Sequence, residues 1–311
     1  MESQSTGTSH AKVILIGDHS VVYGQPAIAV PLPDLPMTAK LSSRQAGQMV
    51  ITPNYQGPMD EMGEVYEGIR QLLTRLLRHF DASDMPFLLE ITSSIPQERG
   101  MGSSAASAIA IIRAFFNYFD APLSRAELQQ WANIEEAVTH GSPSGLDAAT
   151  CASDVPVWFI KKETTQTLEM TLEGYLIIAD TGVRGQTGLA VSVVREQFET
   201  NPKQTNSHIS ALGKIAENIR DGLKHGDTAA IGHAMNDAQQ HLQDLGVSHP
   251  SLDRLVTAAN QAGALGAKLT GGGVGGAMLA LTDTKEHADN VIKALETAGA
   301  QEVWMQHYTR R

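Results

Sequence analysis

The chain has 311 residues, of which 42% are hydrophobic, and its formal net charge is −11. This length exceeds what one compact domain usually holds, so we expect two domains. The acidic balance provides no broad cationic field, which argues against nucleic acid or an anionic membrane as a partner. A phosphorylated small ligand stays possible, because it needs only a local positive pocket.

The single cysteine, Cys151, rules out a structural disulfide within the chain and suits a reducing compartment. Residues 1–9 are polar and lack the pattern of a secretory signal. The longest apolar stretch, near 105–116, is interrupted by Ser107 and Arg113 and is too short to span a membrane. We therefore expect a soluble, cytoplasmic protein.

The first half of the chain mixes predicted strands with predicted helices. Apolar and β-branched runs predict strands at 12–17, 27–32, 37–43, 49–52, 87–95, 155–161, 165–171 and 175–180. Apolar residues at helical spacing predict helices at 61–79, 103–118 and 124–140. Ser124, followed three residues later by Glu127, has the spacing of a capping box at the start of the last helix.

The second half is richer in helices. The pattern predicts helices at 189–198, 207–224, 228–245 and 251–262, and then strands at 266–269 and 277–281, a helix at 287–298 and a strand at 302–307. The composition changes near 175–185, which predicts domains at 1–175 and 176–311. This arrangement is typical of an α+β protein and not of regular βαβ alternation.

The stretch GDHSVVYGQP, residues 17–26, follows the first predicted strand. It places an acid, an imidazole and a phenol between two glycines. Alone, it is most simply a polar turn. Whether it borders an active site depends on the motifs that accompany it.

The stretch IPQERGMGSSAAS, residues 95–107, predicts an anion-binding loop. Glycines permit tight turns, and Ser103 or Ser104 opens a helix of small residues whose N-terminal amides attract anions. One hydroxyl is also a candidate ligand for a magnesium ion carried by a nucleotide. The stretch lacks both the Gly-Lys-Ser/Thr ending of a P-loop and the GxGxxG spacing. An ordinary capped helix with no ligand is the alternative.

The stretch KLTGGGVGGAML, which begins at Lys268, holds five glycines within 271–276. A hairpin needs only one or two glycines, so this number indicates close approach of another backbone or of a ligand. A flexible turn is the alternative. A GxGxxG match occurs at Gly271, Gly273 and Gly276, but it precedes a strand and not a helix, which argues against dinucleotide binding.

The stretch EEAVTHGSPSGLDAAT, residues 135–150, ends a helix, turns at a Pro/Gly segment and places Asp147 at the start of a short helix. Asp147 is a candidate general base or metal ligand, with a helix N-cap as the alternative. His140 is better explained by its position at a helix end. His225, His233 and His241 are spaced by eight residues, which gives little support to a zinc site.

Four stretches, in this order, resemble the motifs of the GHMP kinases: KVILIGDHSVVYG from Lys12, PQERGMGSSAAS from Pro96, GSPSGLD from Gly141 and KLTGGGVGG from Lys268. The resemblance extends from residue 12 to about residue 280. The family includes galactokinase, homoserine kinase, mevalonate kinase and phosphomevalonate kinase. The first motif and HGSPSGLD are most similar to the mevalonate kinase branch. The sugar-binding stretch expected of a galactokinase is absent.

The resemblance implies a two-domain α+β fold, with a left-handed βαβ crossover in an ATP-binding N-terminal domain and a ferredoxin-like C-terminal domain. It implies transfer of the γ-phosphoryl group of ATP to the primary hydroxyl of mevalonate, with Mg²⁺ as cofactor. Mevalonate and ATP are then the expected partners, and a homodimer is a further possibility because dimers are common among relatives.

The resemblance also implies roles for single residues. Asp147 matches the catalytic aspartate and Lys12 its partner. Ser104 and Glu136 match magnesium ligands, and Asp18 and His19 match substrate-side positions. Gly272, in the glycine-rich loop, is a further candidate for substrate binding. Lys161 or Lys162, after the Asp147 segment, is a candidate cation for the substrate carboxylate. The expected phosphate-binding residues are Pro96, Gly100, Met101, Gly102, Ser103, Ser104 and Ala105.

Two positions depart from the family pattern. Asp18 stands where glutamate is usual, and its shorter reach favours a structural role over direct substrate contact. Gln97-Glu98-Arg99 stands where many members have smaller residues, so these side chains are expected to point to solvent. The functional alternatives are a sister kinase acting on phosphomevalonate or a related hydroxy acid, and a catalytically inactive member that binds ligand.

Overall fold

The computed structural model describes residues 3–95, 100–140, 145–161, 163 and 165–309, without the side chains of 139 and 140. The chain forms two compact units. The first comprises Met1–Lys12 and Pro31–Asp154, and the second comprises Val13–Val30 and Val155–Arg311. These units are not consecutive in sequence, because strands β1 (Gln4–Ile16) and β2 (Ala27–Ser43) contribute residues to both. The boundary at 175/176 stays a prediction about sequence domains.

The first unit contains β3 (Gln48–Thr52), β4 (Tyr55–Pro58) and β5 (Phe87–Ser93), which follow the order β4-β3-β5-β2, and β1 also pairs with β2. Strands β3 and β5 are parallel, and the chain crosses between them through helix α1 (Glu67–His79). Strands β3 and β5 with helix α1 thus correspond to the predicted βαβ crossover. The left-handedness of this crossover stays a prediction. Helices α2 (Ser103–Tyr118), α3 (Arg125–His140) and α4 (Leu146–Cys151) complete the unit.

Helix α2 supplies the core of the first unit. Its residues from Ala105 to Phe116 are buried except for Arg113, and it packs against α1, α3 and α4. A helix that is apolar on nearly every face is stable in water only when other elements surround it. Among the described residues, no helix has both the length and the apolar character needed to cross a membrane.

The second unit contains a four-stranded antiparallel sheet of β8 (Gly174–Asp180), β9 (Gly266–Thr270), β10 (Ala277–Thr282) and β11 (Glu302–Tyr308). Its strand order is β11-β8-β10-β9, and all its pairs are antiparallel. Numbered within the sheet, this order is 4-1-3-2, which is the ferredoxin-like arrangement expected for this half. The helices of this unit are α5 (Thr187–Thr200), α6 (Pro202–His225), α7 (Thr228–Asp244), α8 (Pro250–Gln261) and α9 (Lys285–Thr297).

Strand β2 differs from the two short strands predicted at 27–32 and 37–43. It is continuous and passes through Pro31, Pro33 and Pro36. Residues 27–29 pair with β6 (Val157–Phe159), whereas residues 37–43 pair with β5. The prolines lie between these two paired segments, where their missing N–H groups cost no hydrogen bond to β5 or β6. The strand predicted at 165–171 is shorter, since β7 spans only Gln166–Thr167.

Helix α7 packs against β9 through backbone atoms at Gly232 and Gly266. A Cβ on Gly232 would lie 2.6 Å from the carbonyl carbon of Leu265, and one on Gly266 would lie 1.8 Å from the carbonyl oxygen of Gly232. Neither neighbour can rotate away, because both are backbone atoms. The close approach of helix to sheet therefore requires glycine at both positions.

We predict that Gly232→Ala lowers the free energy of unfolding by about 1–3 kcal/mol or more, because overpacking outweighs the gain in helix propensity. The measurement is urea unfolding followed by circular dichroism. Gly188→Ala is the matched control, since Gly188 is exposed in α5 and a Cβ there would have no neighbouring atom within 4 Å. The control is expected to be neutral or slightly stabilising. Equal stability of the two variants would contradict the packing argument.

Candidate functional site

A buried lysine and a partly exposed aspartate form an ion pair in the first unit. The Nζ of Lys12 lies 2.8 Å from Oδ1 of Asp147, and the side chains are 4% and 35% exposed, respectively. Lys12 lies in β1, and Asp147 lies in the first turn of α4. The ammonium is thus held away from water, whereas the carboxylate remains accessible to a reactant. The structure brings together the two residues expected to carry out catalysis.

The loop before α2 is tied to Lys12. The backbone N–H of Lys12 donates to the carbonyl oxygen of Met101 over 3.0 Å. Gly102 has a φ of +74°, and a Cβ there would lie 2.9 Å from Cγ of Lys12 and 3.1 Å from Sγ of Cys151. Any side chain at this position would therefore displace Lys12. This close approach accounts for the second glycine of the predicted phosphate loop.

Helix α2 begins immediately after this loop with Ser103, Ser104 and Ala105. Its N-cap is Gly102, and no side chain caps this end. The first N–H groups of a helix have no intrahelical acceptor, and the helix dipole adds partial positive charge there. With Lys12 held beside the preceding loop, this end of α2 has the properties of an anion-binding site. Gly100, at φ +71°, and the buried Met101 precede it.

The hydroxyl of Ser104 donates to a carboxylate oxygen of Glu135. Glu135 and its neighbour Glu136, both in α3, are buried at 3% and 6% exposure. The expected magnesium pair was Ser104 with Glu136, so Glu135 joins the candidate donors. Hydroxyl and carboxylate oxygens are the ligands that Mg²⁺ prefers, and the residues present therefore fit this ion.

Cys151 lies next to this group without being reactive. Its thiol is fully buried, and burial first, followed by the negative charge of Asp147, raises the pKa of Cys151 well above its ordinary value. The thiolate is the nucleophilic form of cysteine, and this site suppresses it. Cys151 therefore packs against Gly102 with its thiol protonated.

A second group of residues lies within the second unit, around Asp18. One carboxylate oxygen of Asp18 accepts from the ammonium of Lys268, and both side chains are 0% exposed. The other oxygen accepts from the backbone N–H of Gly271 over 2.7 Å. Both oxygens of Asp18 are thus bound by protein groups. Asp18 fixes the start of the glycine-rich loop 271–276.

His19 contacts the next residue of the same loop. Its Nε2 donates to the carbonyl oxygen of Gly272 over 3.0 Å, and its backbone has a φ of +60°, which is unusual for a residue other than glycine. Burial lowers the pKa of His19 below its ordinary value, although the charge of Asp18 opposes this shift. The ring is therefore neutral at neutral pH, with its proton on Nε2 and a lone pair on Nδ1.

The loop 271–276 joins β9 to β10 and packs closely on other backbone segments. Gly271, Gly273, Val274, Gly275 and Gly276 all have positive φ. A Cβ on Gly273 would lie 2.2 Å from the carbonyl oxygen of Val247, and one on Gly275 would lie 2.8 Å from that of Val183. The glycines therefore serve both a turn and a close backbone approach. Strand β10, and not a helix, follows directly as predicted, so the GxGxxG match lacks the structural context of a dinucleotide motif.

The remaining predicted site residues are placed as follows. Lys161 is exposed in the turn after β6. Within the described part of the chain, it forms no hydrogen bond or ion pair with Asp18 or His19. Pro96 and Lys162 lie outside the described residues, as do residues 97–99 and 141–144.

Sequence reasoning did not identify Lys268, Glu135 or Cys151 as part of these groups. Of these three residues, only Lys268 has a signal in the sequence, because it is the single charged residue of the apolar strand GAKLT. A charge buried in such a strand needs a partner of opposite charge. Its partner Asp18 is 250 residues away in sequence. No local pattern indicates which acid that partner is.

Two family models match the chain. The model of the GHMP kinases N terminal domain matches residues 65–154, and the model of the GHMP kinases C terminal region matches residues 219–301. The curated mevalonate kinase of Pyrococcus furiosus is 32% identical to this chain, with 93% of this chain and 92% of that protein covered.

Solved structures are similar over nearly the whole chain. The mevalonate kinase of methicillin-resistant Staphylococcus aureus is 31% identical, with a TM-score of 0.78 and coverage of 98% of this chain and 99% of that one. The L. major mevalonate kinase in complex with R-mevalonate shares the fold, with a TM-score of 0.86, 24% identity and coverage of 99% and 98%. Together with the two family models, these similarities establish that the chain belongs to the GHMP kinase family.

Proposed function

We propose that this chain is an ATP-dependent mevalonate kinase, which transfers the γ-phosphoryl group of ATP to the primary hydroxyl of mevalonate and gives 5-phosphomevalonate and ADP. The observation that carries this proposal is the Lys12–Asp147 ion pair, joined through Met101 to the uncapped start of α2. The similarity to curated mevalonate kinases over 93% of the chain supports the substrate. A phosphomevalonate kinase is the less favoured alternative.

In this proposal, Asp147 accepts the proton of the attacking hydroxyl. The hydroxyl oxygen forms a bond to the γ-phosphorus, the bond from this phosphorus to the β–γ bridging oxygen breaks, and ADP leaves with the electron pair. Phosphoryl transfer requires positioning and charge neutralisation above all. Lys12 holds Asp147 in place and stabilises negative charge that develops on the transferring group.

The amides at the start of α2 hold the phosphates of the nucleotide in this proposal, with Gly100, Met101, Gly102, Ser103 and Ala105 forming the cradle. Ser104, with Glu135 and Glu136, would hold the magnesium ion. When bound, Mg²⁺ neutralises charge on the β- and γ-phosphates. The residues of this first unit thereby account for the nucleotide side of the reaction.

For the substrate side we propose different roles for Asp18 and for the other candidates. Asp18 is a positioning residue, because both of its oxygens are occupied by Lys268 and Gly271. His19 and Gly272 remain proposed substrate-binding residues. Lys161, an exposed cation, is proposed to bind the substrate carboxylate.

A substrate panel tests the function directly. Mevalonate, phosphomevalonate, homoserine and galactose are each supplied with ATP and Mg²⁺, and ADP release is measured in a coupled assay. We expect mevalonate to give the highest kcat/KM by at least about tenfold, which corresponds to about 1.4 kcal/mol of transition-state discrimination. A preference for phosphomevalonate would replace the proposal by its alternative, and no turnover with any substrate would indicate an inactive family member.

Asp147→Asn tests the general base. The amide keeps the size of the side chain but cannot accept the proton, so kcat should fall by about 10²–10⁴-fold while ATP binding changes little. Asp84→Asn is the matched control, since Asp84 is exposed in the loop between α1 and β5. Steady-state kinetics and a titration with fluorescent nucleotide separate the two effects. A near-normal kcat for Asp147→Asn would remove Asp147 from the role of base.

A double-mutant cycle tests the role of Asp18. Lys268→Met leaves a buried carboxylate without its cation and should lower the free energy of unfolding by about 3–5 kcal/mol. Asp18→Asn combined with Lys268→Met should lose less than Lys268→Met alone, because the uncompensated charge is gone. Lys285→Met is the control, since the Lys285–Asp289 pair is half exposed and contributes less than about 1 kcal/mol.

The cycle also distinguishes a direct substrate contact. If Asp18 binds mevalonate, Asp18→Asn raises KM while the urea midpoint of unfolding stays at the wild-type value. That pattern contradicts a positioning role.

A further inference from the structure

Two histidines and an aspartate meet on the hairpin of α6 and α7, within the second unit. His208 lies in the second turn of α6, and His241 and Asp244 lie in the last turn of α7. Residues three apart share one face of a helix, so His241 and Asp244 point the same way. Helices α6 and α7 pack side by side, which brings His208 to that face.

The distances suit a single bound ion. Nδ1 of His208 lies 3.0 Å from Nδ1 of His241 and 3.8 Å from Oδ2 of Asp244. The ligand atoms of the three residues all lie within 4.8 Å of one another. With metal–ligand bonds of about 2.1 Å, these separations correspond to angles of about 90–95° and about 130° at the ion. Small side-chain rotations bring both towards tetrahedral values.

The two rings face each other through nitrogen atoms that are both potential ligands. A contact of 3.0 Å between two Nδ1 atoms has room for one proton, so one ring already offers a lone pair towards the other. A metal ion between the rings needs the second ring to move its proton from Nδ1 to Nε2. Both imidazoles stay neutral in this exchange, and no net proton is released.

Surrounding groups favour a cation at this place. Nε2 of Gln240 donates to Oδ1 of Asp244 over 3.3 Å, which orients the carboxylate and leaves Oδ2 on the side of His208. The C-terminal end of α7 contributes partial negative charge. Asp237 lines the adjacent surface depression together with Gln240 and His241 and adds negative charge, which Lys214 in the same depression partly offsets.

Access from solvent is available. The side chain of His208 is 15% exposed and that of Asp244 is 43% exposed. Water can therefore reach the ion and complete its coordination, as it does in zinc sites with three protein ligands. Two imidazoles with one carboxylate select zinc and similar transition metals over magnesium, which prefers oxygen ligands.

We propose that His208, His241 and Asp244 form a binding site for Zn²⁺ that links α6 to α7 and is separate from the magnesium site proposed at Ser104, Glu135 and Glu136. Bound Zn²⁺ connects the start of one helix to the end of the next. Its effect is on the stability of this hairpin, and it takes no part in phosphoryl transfer.

The test is isothermal titration of the full chain with Zn²⁺ in buffer containing millimolar Mg²⁺, which occupies oxygen-only sites. We expect one equivalent of Zn²⁺ to bind with micromolar or tighter affinity. His208→Gln and His241→Gln should each weaken binding at least about tenfold, and Asp244→Asn should weaken it less. His225→Gln is the control, because His225 is exposed at the end of α6 with its Nδ1 on the carbonyl oxygen of Asp221.

Two further measurements identify the ligands. Co²⁺ titrated in place of Zn²⁺ should give visible absorption bands in the wild type and in His225→Gln, and lose them in His208→Gln. Saturating Zn²⁺ should raise the Tm of the wild type by about 3–6 °C and leave that of His208→Gln unchanged. Circular dichroism without metal verifies that each variant is folded.

The proposal is overturned if the wild type binds no Zn²⁺ under these conditions, or if folded His208→Gln and His241→Gln bind it as tightly as the wild type. A loss of affinity in His225→Gln equal to that in His208→Gln also overturns it. These outcomes do not depend on kinase turnover.

Discussion

The ammonium of Lys12 is almost entirely removed from water, and the arrangement of the first unit follows from that constraint. A buried cation is tolerated only beside a compensating charge, and Asp147 provides it at 2.8 Å. The same lysine fixes the loop before α2, since its backbone bonds to Met101 and its side chain fills the space at Gly102. One residue of β1 thereby positions both the proposed base and the proposed phosphate cradle.

The ion pairs Lys12–Asp147 and Lys268–Asp18 differ in how far water and a reactant can reach the acid. Lys268 and Asp18 are both fully buried, and the remaining oxygen of Asp18 is bound by Gly271. Because both side chains are fully buried, no oxygen of Asp18 is accessible to a reactant. In the Lys12–Asp147 pair the acid retains 35% exposure, so its carboxylate stays open to a hydroxyl group. Of these two acids, only Asp147 is exposed enough to meet a reactant, which is why we propose it, and not Asp18, as the base.

Much of the fold follows from local sequence signals. The four helices between 187 and 261 have apolar periodicity and clear breaks, and the strands around Ile177 and Leu279 are short apolar runs. The continuity of β2 was not predictable from the sequence. The strand passes through its prolines because β6 pairs with the residues before them and β5 with the residues after them, and the sequence does not show this pairing. Which strands pair across long sequence distances depends on the tertiary fold and cannot be predicted from any one segment alone.

The sequence predicts which motifs form the candidate site, but not every residue whose side chain takes part in it. Glycine and serine around residue 102 indicate an anion site because backbone amides need small neighbours. The choice between Glu135 and Glu136 depends on a rotation of about 100° around the axis of α3, which the sequence leaves open. His208 and His241 lie on different helices, 33 residues apart, so helical spacing within one segment did not reveal them.

The buried position of Cys151 gives this protein a built-in measure of local motion. It is the only cysteine of the chain, and its thiol is sealed behind Gly102 and Lys12 with a raised pKa. An alkylating reagent can react with it only when the segment around Gly102 opens transiently. The rate of alkylation therefore reports how often the segment around Gly102, the proposed phosphate cradle, opens. The slowing of this rate by added nucleotide would measure how strongly the ligand stabilises the closed segment.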